Sequence, residues 1–265
     1  KRQAGEFSLG LVNSSLLFEG PLNSSTSYMA SGRAAYLGLL LLPTRWFNKS
    51  EEDNYNNMVS YDFNLKLNHR WEDDSRLFIS SYVGQDRYAT EFTVDSIANS
   101  SNLGWGNQTL SMRYTRPVGK RAFYNVLGAY NHYLLEEKLE QQFLLLDTNL
   151  SYLRQSEITD YTLKQDIFIS PFRYLDINGG LEVTRHQFQP NNTINATGND
   201  NLDSLQSNAT KFSPWSYAVF LETTYRPFSA IFISGGLRYS TFLTTDNNYQ
   251  FLEPRIKIDY TLRNF

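Results

Sequence analysis

The 265-residue chain contains no cysteine, which removes disulfides and thiolate metal sites from consideration. It has no long apolar run either: the longest, Ala34 to Leu42, is nine residues, whereas a helix needs about 20 to cross a bilayer. The start, Lys1-Arg2-Gln3-Ala4, leads into no apolar core, so no signal peptide is read there. The expectation is that a leader was removed or that the chain begins inside a longer protein. Histidine is scarce: His69, His132 and His186 each lack a second metal ligand nearby in sequence. No phosphate-cradling glycine loop, HExxH, nucleophile elbow or EF-hand spacing occurs. A net charge of −3 argues against a nucleic-acid partner. No catalytic residue, metal or cofactor is expected, and the carboxylates of Glu51-Glu52-Asp53 and Glu136-Glu137 read as solvated charge.

What the chain does have is aromatic side chains, 15% of residues with 18 Tyr and 18 Phe, beside a mean hydropathy of −0.45. That combination fits strands that are apolar on one side only, and the pattern confirms a period of two. From Leu252 to Arg263, Leu252, Ile256, Ile258, Tyr260 and Leu262 alternate with Glu253, Arg255, Lys257, Asp259, Thr261 and Arg263, broken only by Pro254. Val59 to Arg70 repeats the pattern, and so does Trp215 to Tyr225 with Phe220 out of phase. A lipid-facing strand needs only alternate apolar residues over about 9 to 11 positions, so low hydropathy does not exclude a membrane protein.

Turn signals divide the chain into about twelve strands, near 3–10, 13–19, 27–40, 58–70, 76–90, 105–116, 121–135, 157–170, 174–188, 212–225, 229–243 and 251–263. Tight turns at Gly20-Pro21, Glu72-Asp73-Asp74, Arg116-Pro117, Pro171-Phe172 and Arg226-Pro227 alternate with polar loops at 41–57, 91–104, 136–156, 189–211 and 244–250. Short turns at one end and long loops at the other are the pattern of a bacterial outer-membrane barrel. One face would carry Asp62, Lys66, Arg70, Arg113, Lys164, Asp166, Asp176, Glu182, Glu222, Arg238, Glu253, Arg255, Lys257 and Asp259. Burying these dry would cost several kcal/mol per ion, so the face needs water or a polar filling. The fold class read here is all-β, an antiparallel transmembrane β-barrel. A soluble sheet with its polar face in solvent is the competing reading.

The segment Leu16-Leu17-Phe18-Glu19-Gly20-Pro21-Leu22, followed by Thr26-Ser27-Tyr28-Met29-Ala30-Ser31-Gly32-Arg33-Ala34-Ala35-Tyr36-Leu37, resembles the early barrel of TonB-dependent outer-membrane receptors, particularly those of Bacteroidetes. The stretch Phe251-Leu252-Glu253-Pro254-Arg255-Ile256-Lys257-Ile258-Asp259-Tyr260 is similar to a Pro-Arg strand midway round the same barrels. The resemblance implies that residues 1–265 are a partial barrel region, with about 12 of about 22 strands and no plug domain. It implies localisation in the bacterial outer membrane, contact with its lipid, and coupling to TonB through a plug outside this chain. The function implied is uptake of a scarce ligand, a siderophore, vitamin, glycan or peptide, without enzymatic activity. A small self-closed channel or barrel enzyme, and a structural barrel subunit of a larger outer-membrane complex, stay open as alternatives; self-closure would need the strand at Tyr260 to pair with the one near Phe7.

In such a barrel Arg33, Arg113, Arg238, Glu253, Arg255, Lys257 and Asp259 are candidates for the ligand path or for contact with the plug. Trp46, Phe47 and Trp105 are candidate outer-loop aromatics for stacking on a ligand, and Trp215 reads as an interface anchor. The stretch 139–153, with Phe143-Leu144-Leu145-Leu146 and Leu150, is too apolar to stay wet as a loop. It is expected to fold over the barrel mouth or to meet a partner subunit or surface lipoprotein. The sequons at Asn107, Asn195 and Asn208 read as chance in an Asn-rich bacterial sequence.

Overall fold

A computed structural model describes residues 2–38, 55–145, 148–197, 205–207, 210–228 and 230–261. Alternating apolar and polar residues with no helical spacing give β1 (Ala4–Leu9), β2 (Asn13–Pro21), β3 (Thr26–Tyr36), β4 (Tyr55–Arg70), β5 (Arg76–Val94) and β6 (Ile97–Val118). They continue as β7 (Ala122–Phe143), β8 (Thr148–Phe172), β9 (Leu175–Thr197), the short β10 (Leu205–Ser207), β11 (Trp215–Phe228), β12 (Ile231–Leu243) and β13 (Asn248–Tyr260). Every neighbouring pair is antiparallel, and the order in the single sheet is the order in the chain, with β10 pairing only β9. β1 and β13 are the two edges, so Phe7 and Tyr260 stand at opposite ends of the sheet.

Register decides which side chains share a face, because directly paired residues point the same way. Arg33 pairs Asp62, Asp62 pairs Gly84, Gly84 pairs Asn107, Asn107 pairs Tyr133, Tyr133 pairs Ile158 and Ile158 pairs Phe188. Through Glu182, Ala218, Ser240 and Phe251 the same face reaches the far edge. All fourteen charged residues predicted to share a face, from Asp62 to Asp259, fall on it.

The opposite face is an apolar band. On β7 its row reads Ala122, Tyr124, Val126, Gly128, Tyr130 before turning polar at His132, Glu136 and Lys138. On β11 it reads Trp215, Tyr217, Val219, Leu221, Thr223, Tyr225. Each row is about 9 to 11 residues tall, the height of a membrane-crossing strand. Val219, Leu221, Leu110, Met112 and Ile256 on it are more than half exposed. Aromatic rings gather at both margins. Trp71 meets His69 and Tyr114 at 4.5 and 5.9 Å, and Tyr174 meets Phe172 and Tyr225 at 5.3 and 5.9 Å, at the end with the tight turns. Tyr130 meets Tyr161 at 5.4 Å and Trp215 meets Tyr217 at 6.0 Å toward the other end.

Three expectations about loops fail here, one of them in part: of the expected loop 189–211, residues up to Thr197 belong to β9 and Leu205–Ser207 form β10. Residues 91–104 are the ends of β5 and β6 joined by Asp95-Ser96, whose φ angles of 48° and 66° make a two-residue hairpin turn. Residues 136–156 are likewise mostly the ends of β7 and β8, which pair out to Phe143 and Thr148. The apolar alternation that marks a strand ends with the apolar band, while backbone pairing continues where both faces are polar. β8, with 25 residues, is roughly 80 Å long at about 3.3 Å per residue, against about 30 Å of hydrocarbon. The stretch 41–54 of the first expected long loop lies outside the described residues.

Hardly anything is buried: Ala218 and Phe220 are the buried apolar residues among those described. Phe220, out of phase in the sequence, lies on the polar face with Lys164 Nζ 5.2 Å from its ring centre. Gly180, on the paired strand, makes room for it. A Cβ there would come 2.9 Å from Phe220 Cζ and inside contact distance of the Gln165 carbonyl oxygen. At the β4–β5 turn, Asp73 Oδ1 accepts the Ser75 hydroxyl at 2.5 Å and its amide at 3.1 Å.

Gly180→Ala is expected to lower the unfolding free energy by about 1–3 kcal/mol in a denaturant titration, as overpacking does. Gly235→Ala, where nothing lies within 4 Å of the new Cβ, leaves the midpoint unchanged. The Ser75 hydrogen bonds stabilise the Asp73 anion and hold its carboxyl below the ordinary 3.8. Asp73 therefore contributes stability above pH 3.8 that is lost as pH falls through the lower folded value. Asp73→Asn keeps an acceptor for the turn but removes that titration, so its melting temperature should fall less steeply with acid.

Candidate functional site

Two clusters stand on the polar face. The first joins β9, β12 and β13, reaching across the intervening β11. Arg238 Nη2 lies 3.5 Å from Glu182 Oε2 and sits directly across from Glu253. Glu253 accepts the Ser240 hydroxyl at 3.1 Å and meets Arg255 Nη2 at 3.0 Å. Lys257 and Asp259 pair at 2.8 Å further along β13. Arg238, Glu253 and Arg255 are thus one network of mutually satisfied charges. Arg33 is elsewhere, paired with Asp62 at 2.7 Å on β3 and β4. Arg113 is separate again, its guanidinium 4.8 Å from the Phe78 ring centre. All seven charged candidates share the face, but they do not converge on one point.

The second cluster was missed in the sequence. On β9, His186 Nδ1 lies 2.7 Å from Asp160 Oδ1 of β8, and its Nε2 lies 2.6 Å from Ser216 Oγ of β11. Asp160 and His186 are direct register partners, so the bond is a consequence of pairing. The imidazole packs at 5.9 Å against both Phe188 and Phe242, and Phe188 stacks on Phe212 at 4.7 Å. Tyr249, across from Phe242, and Phe251, two residues on, continue the aromatic surface and are about half exposed. The result is a flat aromatic patch with polar groups set beside it, toward the end away from the tight turns.

The Asp-His-Ser connectivity has the bonds of an acyl-transfer relay but not its surroundings. Ser216 lies inside a paired strand between β9 and β12, where the ladders occupy the backbone N–H groups that would hold an oxyanion. The chain of bonds ties three strands together. Its members are spread over Asp160, His186 and Ser216, and only the register of β8, β9 and β11 would reveal it from sequence.

Trp105, expected beside the loop 91–104 at the start of a strand, lies within β6 on the polar face, between Asp86 of β5 and Leu135 of β7. Trp46 and Phe47 lie outside the described residues. Trp215 stands on the apolar face with the Arg185 guanidinium 5.6 Å from its ring centre. The stretch 139–153 is a hairpin tip with Leu145 85% exposed, and Leu146 lies outside the described residues. No helix among the described residues is long and apolar enough to cross a membrane.

No family model and no curated protein matches the sequence. Solved structures do match. The ferric preacinetobactin receptor BauA from Acinetobacter baumannii superposes with a TM-score of 0.59 at 8% identity, covering 97% of this chain and 44% of that one. The siderophore receptor PiuA from Acinetobacter baumannii gives 0.57 at 10%, covering 96% and 45%. The chain therefore has the fold of the barrel wall of these receptors and spans less than half their length.

His186→Ala removes two hydrogen bonds and two ring contacts and is expected to lower the unfolding free energy by about 2–3 kcal/mol, with Ser216→Ala costing about 1 kcal/mol. A double substitution costing the sum of the two would show that the network is not coupled.

Proposed function

We propose that this chain forms part of the wall of a TonB-dependent outer-membrane receptor that takes up a scarce ligand across the bacterial outer membrane. The observation that carries this reading is the one-sided sheet: an apolar band that reaches bilayer height on strands such as β7 and β11, backed by a charged and aromatic face. A sheet in hydrocarbon must close so that no backbone group is left unpaired. β1 and β13 do not pair with each other, and closure is assigned to further strands, about 22 in all. The polar face then lines a lumen, where water and a plug satisfy its charges. The tight turns face the periplasm and the extended hairpins face outward.

In this orientation Phe188, Phe212, Phe242, Tyr249 and Phe251 form the upper lumenal wall, the first surface that an entering ligand meets. Flat rings beside Asp160, His186, Glu182 and Arg238 suit a ligand with aromatic or sugar faces and hydrogen-bonding edges. The Arg238–Glu253–Arg255 network lies below and is assigned to plug contact, with Lys257, Asp259, Arg33 and Arg113 as further lumenal charges. Energy for release comes through TonB acting on the plug. The resemblance at Glu19-Gly20-Pro21 and Pro254-Arg255 assigns the Bacteroidetes kind of receptor, and the exposed Leu144-Leu145 tip is where a surface lipoprotein or partner subunit would rest.

The membrane and soluble readings part at Val219, in the middle of the apolar band and 61% exposed. In a lipid-facing wall Val219→Arg destabilises by about 2–4 kcal/mol and lowers recovery in outer membranes, whereas Thr224→Arg on the polar face costs about 0–1 kcal/mol. Equal and negligible effects would mean a soluble sheet. Electrophoresis of outer-membrane fractions before and after boiling separates the remaining readings. A heat-modifiable band well above the 30.7 kDa of this chain is expected, and a band at 30.7 kDa would favour a self-closed channel instead.

A further inference from the structure

Most cations of the polar face are matched at close range, as Arg33 is by Asp62 and Arg255 by Glu253. At the end with the tight turns, β4 to β6 depart from that habit. Arg70 and Arg76 are direct register partners, and like charges directly opposite destabilise a sheet. Asp74 offsets Arg70, accepting from its Nε at 2.9 Å. Arg76 has no ion pair among the described residues, and neither do Lys66, Arg113 and Lys120. Two recesses open between these side chains. One, of about 470 Å³, lies beside Arg70, Arg76, Lys120 and Phe123. The other, of about 540 Å³, lies beside Lys66, Asn68 and Ser80, and Phe78 lines both. The carboxylates there are Asp74, already engaged, and Glu19, which the width of β3 separates from Lys66. Lys66 is level with Ser111 through Ser80, and Lys120 lies just past Val118, the last residue of β6. Ser111 and Val118 are seven residues apart, roughly 23 Å at about 3.3 Å per residue, too far for one small anion to reach every cation.

We propose that this basic stripe docks an acidic segment of the plug, about seven residues of extended chain carrying several carboxylates. The inference rests on the receptor reading, which puts a plug against this face. Once the plug excludes water, Lys66, Arg76, Arg113 and Lys120 need counter-charge that this sheet does not supply, because an ion buried without a partner is strongly destabilising. Carboxylates placed between Arg70 and Arg76 also relieve the repulsion of those two cations. Phe78 stands between the recesses and holds the Arg113 guanidinium 4.8 Å from its ring centre, so part of the docking surface is in place before the segment arrives.

The test treats the full-length receptor, extracted from outer membranes, with a zero-length carbodiimide, which condenses an amine with a carboxylate that it already touches. Peptide mass spectrometry then locates the links. Lys66 and Lys120 are expected to join Asp or Glu residues of the plug. Arg76→Glu should cut that yield about threefold or more by setting like charges together, and about 1 M salt, with a Debye length of about 3 Å, should lower it too. Lys138, 2.7 Å from Glu140, reports that the reagent has worked. With that internal link formed, links from Lys66 and Lys120 that are absent or confined to carboxylates of residues 1–265 would overturn the proposal. Equal yields from Arg76→Glu and the wild type would overturn it as well, and the wild-type links decide the question even where the variant fails to assemble. A heat-modifiable band with no mass beyond 30.7 kDa would instead sink the receptor reading, since no plug would be there to join.

Discussion

The rest of this structure depends on the pairing of backbone N–H and C=O groups between neighbouring strands. In the proposed membrane wall an unpaired group would cost several kcal/mol, so the edges β1 and β13 would need further partners. Antiparallel pairing in chain order meets the need for pairing with the shortest connections, which is why β1 to β9 and β11 to β13 follow one another without a crossover. Once the ladder is fixed, period-two alternation sorts the side chains into two sheets of chemistry back to back.

This sorting replaces a core. A soluble domain stabilises itself by hiding apolar surface, yet here Ala218 and Phe220 alone among the described apolar residues are buried. The apolar band is stabilised by what covers it, and the polar face by cross-strand ion pairs such as Arg33–Asp62 and Arg238–Glu182 and by bonds such as Asn125–Asp166. The few tightly packed points, Gly180 under Phe220 and Asp73 under Ser75, sit where a side chain breaks phase or a strand turns. They fix register where the ladder alone would tolerate a slip.

Beyond the band the constraint relaxes. β5 to β9 continue as paired hairpins with polar side chains on both faces, and here functional chemistry accumulates. Trp105 is carried inward by β6, and the His186 cluster spans β8, β9 and β11. A long strand costs little more than a long loop in such a place and holds its side chains at fixed spacing, which suits binding surfaces better than a flexible connection.

Alternation along the chain was enough to show the all-β class, the position of the one-sided strands and the sharing of one face by Arg113, Arg238, Glu253, Arg255, Lys257 and Asp259. Those follow from a period of two, which needs no partner to be visible. It did not show that 91–104 and 136–156 are strands, because two wet faces leave no alternation to read. Nor did it show that Asp160, His186, Ser216 and Phe242 meet, because they lie on four strands and only register brings them together. Those contacts come from the pairing of strands: alternation is a property of one strand against its medium, while a site is a property of neighbouring strands against each other.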